Sequence, residues 1–213
     1  MSALSLDGIR FYPDELRDLA VAWVALGVAF AVFILDPPVS PALLTDLTSP
    51  AFLRVLLVSM LTVGVGFLLH ELAHKVVAVR FGQVAAFRAD YGMLALCVGA
   101  AFANFLFAAP GAVYHRGRIT ERQNGLVAIA GPLTNVALAA VFAPLLLLEG
   151  LPGSVGAFGV FINLVLAAFN MIPFGPLDGR KVKDWHLGVF GATFLGTVAL
   201  AAAALLFVGF PTV

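Results

Sequence analysis

The sequence predicts an all-α polytopic membrane protein, with five to six transmembrane helices and a re-entrant or short β-edge element among them. Three observations predict it. The 213 residues are 62% hydrophobic and 11% charged, less than half the ~25% charged fraction of a soluble domain. Mean hydropathy is +1.03. The apolar residues also fall into runs approaching the roughly 20 helical residues that cross about 30 Å of hydrocarbon. The 12 Lys and Arg balance the 12 Asp and Glu, so a nucleic-acid partner, which needs a basic excess to meet phosphate, is not expected. Cys97 is the single cysteine. It leaves no intramolecular disulfide and no Cys-rich metal cluster, and any metal has to be held by His and carboxylate.

Taken in order, the chain opens with Asp7, Asp14, Glu15 and Asp18 before its first apolar run, unlike the basic start of a cleavable signal peptide. The first expected span is Leu19 to Leu35, closed by Asp36-Pro37-Pro38, and the second is Val55 to His74, bracketed by Arg54 and Lys75. The third run, Met93 to Ala109, is rich in Ala and Gly and closes at Pro110-Gly111, which reads as a weaker span or a re-entrant element. The fourth runs from Leu126 to Leu148, the fifth from Val155 to Ile172 and the sixth from Leu187 to Phe210. No appended domain is expected after Phe210.

Lys and Arg accumulate on the cytoplasmic side of short loops. Arg10 and Arg17 put the N-terminus inside, and the loop from Asp36 to Pro50, which holds neither residue type, outside. The second helix then returns to the cytoplasm at Lys75, Arg80 and Arg88. If the third run dips in and comes back, the cluster Arg116, Arg118, Arg122 and the later Arg180, Lys181, Lys183 share that side. Five crossings plus one re-entrant segment is therefore the preferred arrangement, and six plain crossings the alternative.

Ionisable side chains inside an apolar span need a partner, water or a function. The second span ends in His70-Glu71-Leu72-Ala73-His74. Histidines at i and i+4 project from one helix face, where both imidazoles can bind one Zn²⁺ and Glu71 can act as general base on a metal-bound water. Catalytic zinc takes three protein ligands and keeps an open position, and Asp178 is the candidate third ligand. It follows Asn170-Met171-Ile172-Pro173-Phe174-Gly175-Pro176-Leu177 and precedes Gly179. The prolines disfavour regular helix there and the glycine permits close backbone approach, although an Asp-Gly pair is equally the mark of a plain turn. Counted from Arg54 at ~1.5 Å per residue, His70 and His74 lie roughly 24 and 30 Å along the helix, near its cytoplasmic end and within reach of water.

Asn170 closes an apolar run, where an amide needs a partner; it is read either as an oxyanion donor or as an inter-helix hydrogen bond. Gly131 and Pro132 read as a close-packing point and a helix start, which leaves Thr134 and Asn135 open between structural and functional roles. Pro110-Gly111-Ala112-Val113-Tyr114 is a candidate backbone edge for an extended substrate, or else an interfacial turn anchored by Tyr114. His115 and His186, beside basic residues and without ligand spacing, are expected at the surface.

The stretches His70-Glu71-Leu72-Ala73-His74, Gly131-Pro132-Leu133-Thr134-Asn135 and Asn170-x-x-Pro173-x-x-Pro176-Leu177-Asp178-Gly179, in that order, resemble the site-2 protease family of intramembrane zinc metalloproteases. The flanking helices resemble its archaeal-type branch. The resemblance implies hydrolysis of peptide bonds within or at the edge of a substrate's transmembrane helix, in the regulated intramembrane proteolysis of membrane proteins. It further implies one zinc per chain held by His70, His74 and Asp178, Glu71 as catalytic base, and Asn170 helping to bind substrate backbone or oxyanion.

The expectation is thus one integral membrane metalloprotease domain over residues 1–213, its catalytic core at about 52–182, in the cell membrane with its site near the cytoplasmic side. Its partners are the bilayer and a transmembrane peptide or protein substrate. The alternatives are a small ion or proton transporter built on the same His70, Glu71, His74 and Asp178 cluster, and another membrane zincin with Glu121 or Glu149 as third ligand.

Overall fold

The structure is a computed structural model that describes residues 4–6, 8–37, 39, 42–106 and 110–210. A small antiparallel hairpin of β1 (Leu4–Leu6) and β2 (Ile9–Phe11), with Leu4 opposite Phe11, leads into α1 (Pro13–Leu35). Pro13 at the first helical position suits a helix start, and the Glu15 carboxylate reaches back to the Tyr12 amide at 3.3 Å. The helix ends where Asp36 turns left-handed (φ 44°) before Pro37, a residue that cannot continue it.

After the short α2 (Leu43–Leu47), Ser49 accepts from the Phe52 amide at 3.2 Å and caps α3 (Pro50–Ser59). A π-turn over Met60–Gly64 joins α3 to α4 (Val65–Arg80). The bulge turns the Met60 carbonyl to the Trp23 indole N–H at 2.9 Å, and a Cβ on Gly64 would run into the same indole ring. The helix that carries the histidines is thereby keyed to α1 about two to three turns before they begin.

Next come β3 (Val84–Ala89), α5 (Tyr91–Ala101), capped by Asp90 on the Met93 amide at 3.0 Å, and β4 (Gly111–Arg116). The two strands pair antiparallel, Val84 opposite Arg116 and Ala89 opposite Gly111. Then α6 (Glu121–Phe142) starts on a Thr120–Gln123 capping box and tightens into a 3-10 turn at Ala143–Leu147. It is followed by α7 (Gly150–Asn170), α8 (Asp178–Trp185) and α9 (Leu187–Phe207), the last capped by His186 on the Val189 amide. α6 lies between α4 and α7, and α9 covers α7 and α8 from outside.

Among the described residues five helices are long and apolar enough to cross a membrane: Pro13–Leu35, Pro50–Arg80, Glu121–Leu147, Gly150–Asn170 and Leu187–Phe207. The chain is a multi-pass, all-α membrane protein with two small two-stranded sheets. Among the described residues the third expected run supplies no helix long enough to cross. Its helix stops at Ala101 after 11 residues, about 16 Å, and the β3–β4 ladder holds both ends of the excursion together. Residues 107–109, the end of that run, lie outside the described residues.

Two expectations need correcting. The second span is longer than Val55 to His74, because nothing breaks the helix until Gly82 turns left-handed (φ 78°). Nor does Lys75 mark a membrane edge. It is wholly buried, its Nζ 2.5 and 2.6 Å from the Glu15 carboxylate oxygens, 2.7 Å from the Arg10 carbonyl and 4.0 Å from the centre of the Phe11 ring. Glu15 also accepts from the Phe87 amide of β3 at 3.0 Å. One buried carboxylate thus ties the amino-terminal segment, α4 and β3 together. Removing one partner of a buried pair strands the other charge. Glu15→Ala is expected to lower unfolding stability by roughly 3–5 kcal/mol, measured by denaturant unfolding in detergent, with the double change Glu15→Leu, Lys75→Met costing less than Glu15→Ala alone.

Candidate metal centre

α4 presents His70, Glu71 and His74 inward, all buried. The imidazole rings stand edge to face with centroids 4.7 Å apart, as the i, i+4 spacing requires. The space for them comes from α6. A Cβ on Gly131 would sit 2.5 Å from His70 Nε2 and 2.6 Å from His74 Cε1, so the close-packing role read for this glycine is against the two histidines themselves. Pro132 is not a helix start; it lies inside α6.

Asp178 arrives from the other end of the chain. The irregular turn after α7, containing Pro173 and Pro176, brings Leu177 into extended backbone, and α8 begins at Asp178. A Cβ on Gly179 would strike the Met171 carbonyl. The glycine therefore allows α8 to start directly against the end of α7, with its first carboxylate buried. Asp178 Oδ2 lies 3.2 Å from Nε2 of His70 and 3.2 Å from Nε2 of His74. Burial alone would raise the Asp178 carboxyl, but the facing His74 and His70 outweigh it and hold it well below the usual carboxylate range.

The outer ring nitrogens are also occupied. His70 Nδ1 is 2.6 Å from Asn135 Oδ1, and His74 Nδ1 is 2.8 Å from the Val127 carbonyl. Each acceptor holds the Nδ1 proton, which leaves Nε2, now against Asp178, as the nitrogen that would turn to a metal. Asn135 is held in turn: its Nδ2 donates to the Gly66 carbonyl at 3.2 Å and to Asn163 Oδ1 at 2.9 Å, while Asn163 Nδ2 donates to the Gly159 carbonyl at 2.9 Å. Three helices thus fix one imidazole.

The donor set fits one zinc ion. Four-coordinate zinc with ligand bonds of ~2.0–2.1 Å separates neighbouring ligand atoms by about 3.3 Å, and the two nitrogen–oxygen separations here are 3.2 Å. Ligating atoms of His70, Glu71 and His74 also lie within 4.8 Å of one another. Two imidazoles and a carboxylate suit zinc over magnesium. Because outer partners of ligating histidines tune affinity 10- to 100-fold, Asn135→Ala is expected to weaken zinc binding by about that factor. Competition with a zinc chelator checks it.

Around the cluster lies a cavity of about 310 Å³. One end is apolar, lined by residues such as Leu26, Phe30, Val63, Phe67, Ile162 and Leu166; the other holds His70, Glu71, His74, Asp178, His115 and Lys181. Strand β4 forms one wall. Its Val113 amide donates to Glu71 Oε2 at 3.0 Å, so the expected backbone edge at 110–114 is a strand against the candidate base. Asn170 lines the cavity and gives its Nδ2 to the Leu166 carbonyl at 3.0 Å, within its own helix. Thr134 bonds the Ala130 carbonyl behind it at 2.8 Å and stays structural. His186 is exposed, as expected. His115 is not a plain surface residue. It is half-buried and lines the cavity, where burial and then the charges of Lys181 and His74 push its imidazole below the ordinary range.

Against known proteins, the chain is 40% identical to "Putative zinc metalloprotease MJ0611" of Methanocaldococcus jannaschii over 83% of its own length and 87% of the relative's. The chain belongs to that zinc metalloprotease family. The site-2 protease-like resemblance and its archaeal-type branch are consistent with this relationship. The chain is also 34% identical to "Putative zinc metalloprotease YwhC" of Bacillus subtilis, over 59% of its length and 67% of that protein's. No family model and no solved structure matches it. Membership favours the enzyme over the transporter as the reading of the chain's buried His and carboxylate cluster.

Proposed function

We propose that the protein is an intramembrane zinc metalloprotease of the cell membrane. It hydrolyses peptide bonds within or near the transmembrane segments of its substrates, at a site near the cytoplasmic face. One observation carries this reading. Two imidazoles and a distant carboxylate converge, with Asp178 Oδ2 at 3.2 Å from each Nε2, beside a second carboxylate, in a cavity lined mostly by apolar residues and whose main helix is long enough to span a bilayer. An apolar cavity excludes bulk water yet accepts the side chains of a transmembrane segment, and the open end holds the polar chemistry.

When bound, zinc polarises the scissile carbonyl and lowers the pKa of a water molecule in its open position. His70, His74 and Asp178 are the residues that would hold it. Glu71 would take a proton from the attacking water at its carboxylate and return it to the leaving amine nitrogen, so one group would serve as base and then as acid. The Val113 N–H keeps the Glu71 carboxylate turned to this task. A helix hides its carbonyls in its own hydrogen bonds, so the substrate has to unwind locally; β4 offers a backbone edge along which the extended segment can lie. Asn170, at the end of α7 in the cavity wall, has a second amide N–H for substrate backbone or oxyanion.

The test is cleavage of a model transmembrane peptide by purified, zinc-loaded protein in detergent or vesicles. The expected result is one dominant cut at the border of the apolar segment, abolished by a chelator and restored by added zinc. Cleavage indifferent to chelation, or none under conditions where the protein holds zinc, would end the proposal.

A further inference from the structure

Of the polar side chains that line the cavity, all but two have close partners. The histidines of α4 are bound at both ring nitrogens, Glu71 accepts the Val113 amide, and Asn170 donates to its own helix. His115 and Lys181 are the exceptions. The His115 ring makes no hydrogen bond to any described residue, and Lys181 Nζ stands 3.9 Å from Asp178 Oδ1, beyond hydrogen-bond reach. Both occupy the polar end, and both are donors.

Their placement follows from the local structure. Along β4, Gly111, Val113 and His115 are half-buried, while Ala112, Tyr114 and Arg116 are exposed. Side chains alternate along a strand, so His115 looks the same way as Val113, whose amide touches the candidate base, and lies two residues further along. Lys181 is one helical turn after Asp178 on α8 and half-exposed. It therefore stands at the open side of the cavity, close to the carboxylate.

The charge balance is incomplete on this side. Glu71 and Asp178 are the only carboxylates lining the cavity among the described residues, and both are taken up by the chemistry proposed above. Once Asp178 faces a divalent cation, Lys181 has no counter-anion left in the wall. An ammonium beside an apolar cavity, with an unpartnered imidazole next to it, favours an incoming anion that can accept hydrogen bonds from both.

We propose that Lys181 and His115 form a carboxylate subsite beside the metal centre. The preferred substrate then carries an acidic group, either an Asp or Glu side chain or a chain-terminal carboxylate, about two residues from the cleaved bond on its mouth side. The spacing follows from the 3.9 Å between Lys181 and the Asp178 carboxylate extended by a hydrogen bond of about 2.8 Å to the acid, together about two residues at a rise of ~3.3 Å per extended residue. The proposal deepens the protease reading and rests on it: apolar side chains enter one end of the cavity, and the acidic group stays at the other.

The test uses peptides with one apolar transmembrane sequence. Glu, Gln or Lys is scanned over three positions at its polar border, and two further peptides end there as free acid or as amide. Binding is measured to the full-length, zinc-loaded Glu71→Gln protein, which cannot cut, and cleavage with the unaltered protein. At one position the Glu peptide is expected to bind about tenfold more tightly than Gln, the size of a charge-assisted hydrogen bond, with Lys weakest. That preference should fall to within about twofold in Lys181→Met, shrink in His115→Ala and reverse in Lys181→Glu. A preference for the free acid over the amide end, with none among the internal residues, would assign the subsite to a chain terminus. Equal binding of Glu, Gln and terminal pairs, or a preference untouched by Lys181→Met, overturns it. Cleavage without acid preference removes the subsite and leaves the protease; acid preference in binding without cleavage of any peptide does the opposite.

Discussion

Glu71→Gln is expected to lower peptide cleavage by about 10²–10⁴-fold, the range of a positioned general base, with zinc content unchanged. Glutamine keeps the length of the side chain and an oxygen that can accept the Val113 amide, which Glu71 Oε2 does at 3.0 Å. His70, His74 and Asp178, the residues proposed to hold the metal, are left as they are. What the change removes is the ability to take a proton. Metal analysis and cleavage have to be measured on the same preparation, because loss of both together would make Glu71 a ligand rather than a base. Glu71→Asp sharpens the point. It keeps the basicity and withdraws the carboxylate by about one methylene, out of reach of Val113, so intermediate activity is expected if position as well as basicity counts. Wild-type cleavage in Glu71→Gln would take this residue out of the mechanism.

What the sequence disclosed about this site divides by the range of the interaction. The histidine pair was legible because i, i+4 spacing alone puts two rings on one face. Asp178 was legible because the prolines before it and the glycine after it announce a break from helix, and the order of the three motifs supplied the rest. Asn135 stayed ambiguous. Its bond to His70 spans 65 positions and depends on how α6 is rotated against α4, which no local pattern encodes. Asn163, an amide alone in an apolar run, carried the same signal as Asn170 and went unread. The Val127 carbonyl carries no side-chain signal at all.

Lys75 shows how a sound local rule fails. A lysine just past an apolar run is normally an interfacial residue, but here its partner, Glu15, lies 60 positions earlier at the start of α1, and the pair is buried inside the protein. The end of the helix was nevertheless visible in Gly82, the next residue suited to stop it. His115 was misread for a related reason. A lone histidine beside basic residues reads as a surface group. Taken instead as one member of an alternating strand, with Val113 on the same side, it belongs to the wall of the cavity.

Asp178→Ala is expected to lose zinc, with affinity falling by more than the roughly 10- to 100-fold cost of disturbing an outer partner. The oxygen removed is the one facing both Nε2 atoms at 3.2 Å. The contact of Gly179 with the Met171 backbone does not depend on that side chain, so α8 should still start in place and unfolding in detergent should remain cooperative. Asp178→Asn keeps a neutral oxygen and is expected to recover part of the activity at raised zinc, whereas Asp178→Ala should not respond. Full zinc occupancy in Asp178→Ala would place the third ligand elsewhere. Glu121 and Glu149 are exposed and do not line the cavity, so the carboxylate at hand is Glu71, whose oxygen already lies within 4.8 Å of the ligating ring nitrogens. A Glu71 drawn onto the metal cannot also serve as base. Such a variant would hold zinc and remain inert, and adding Glu71→Gln to it would release the metal.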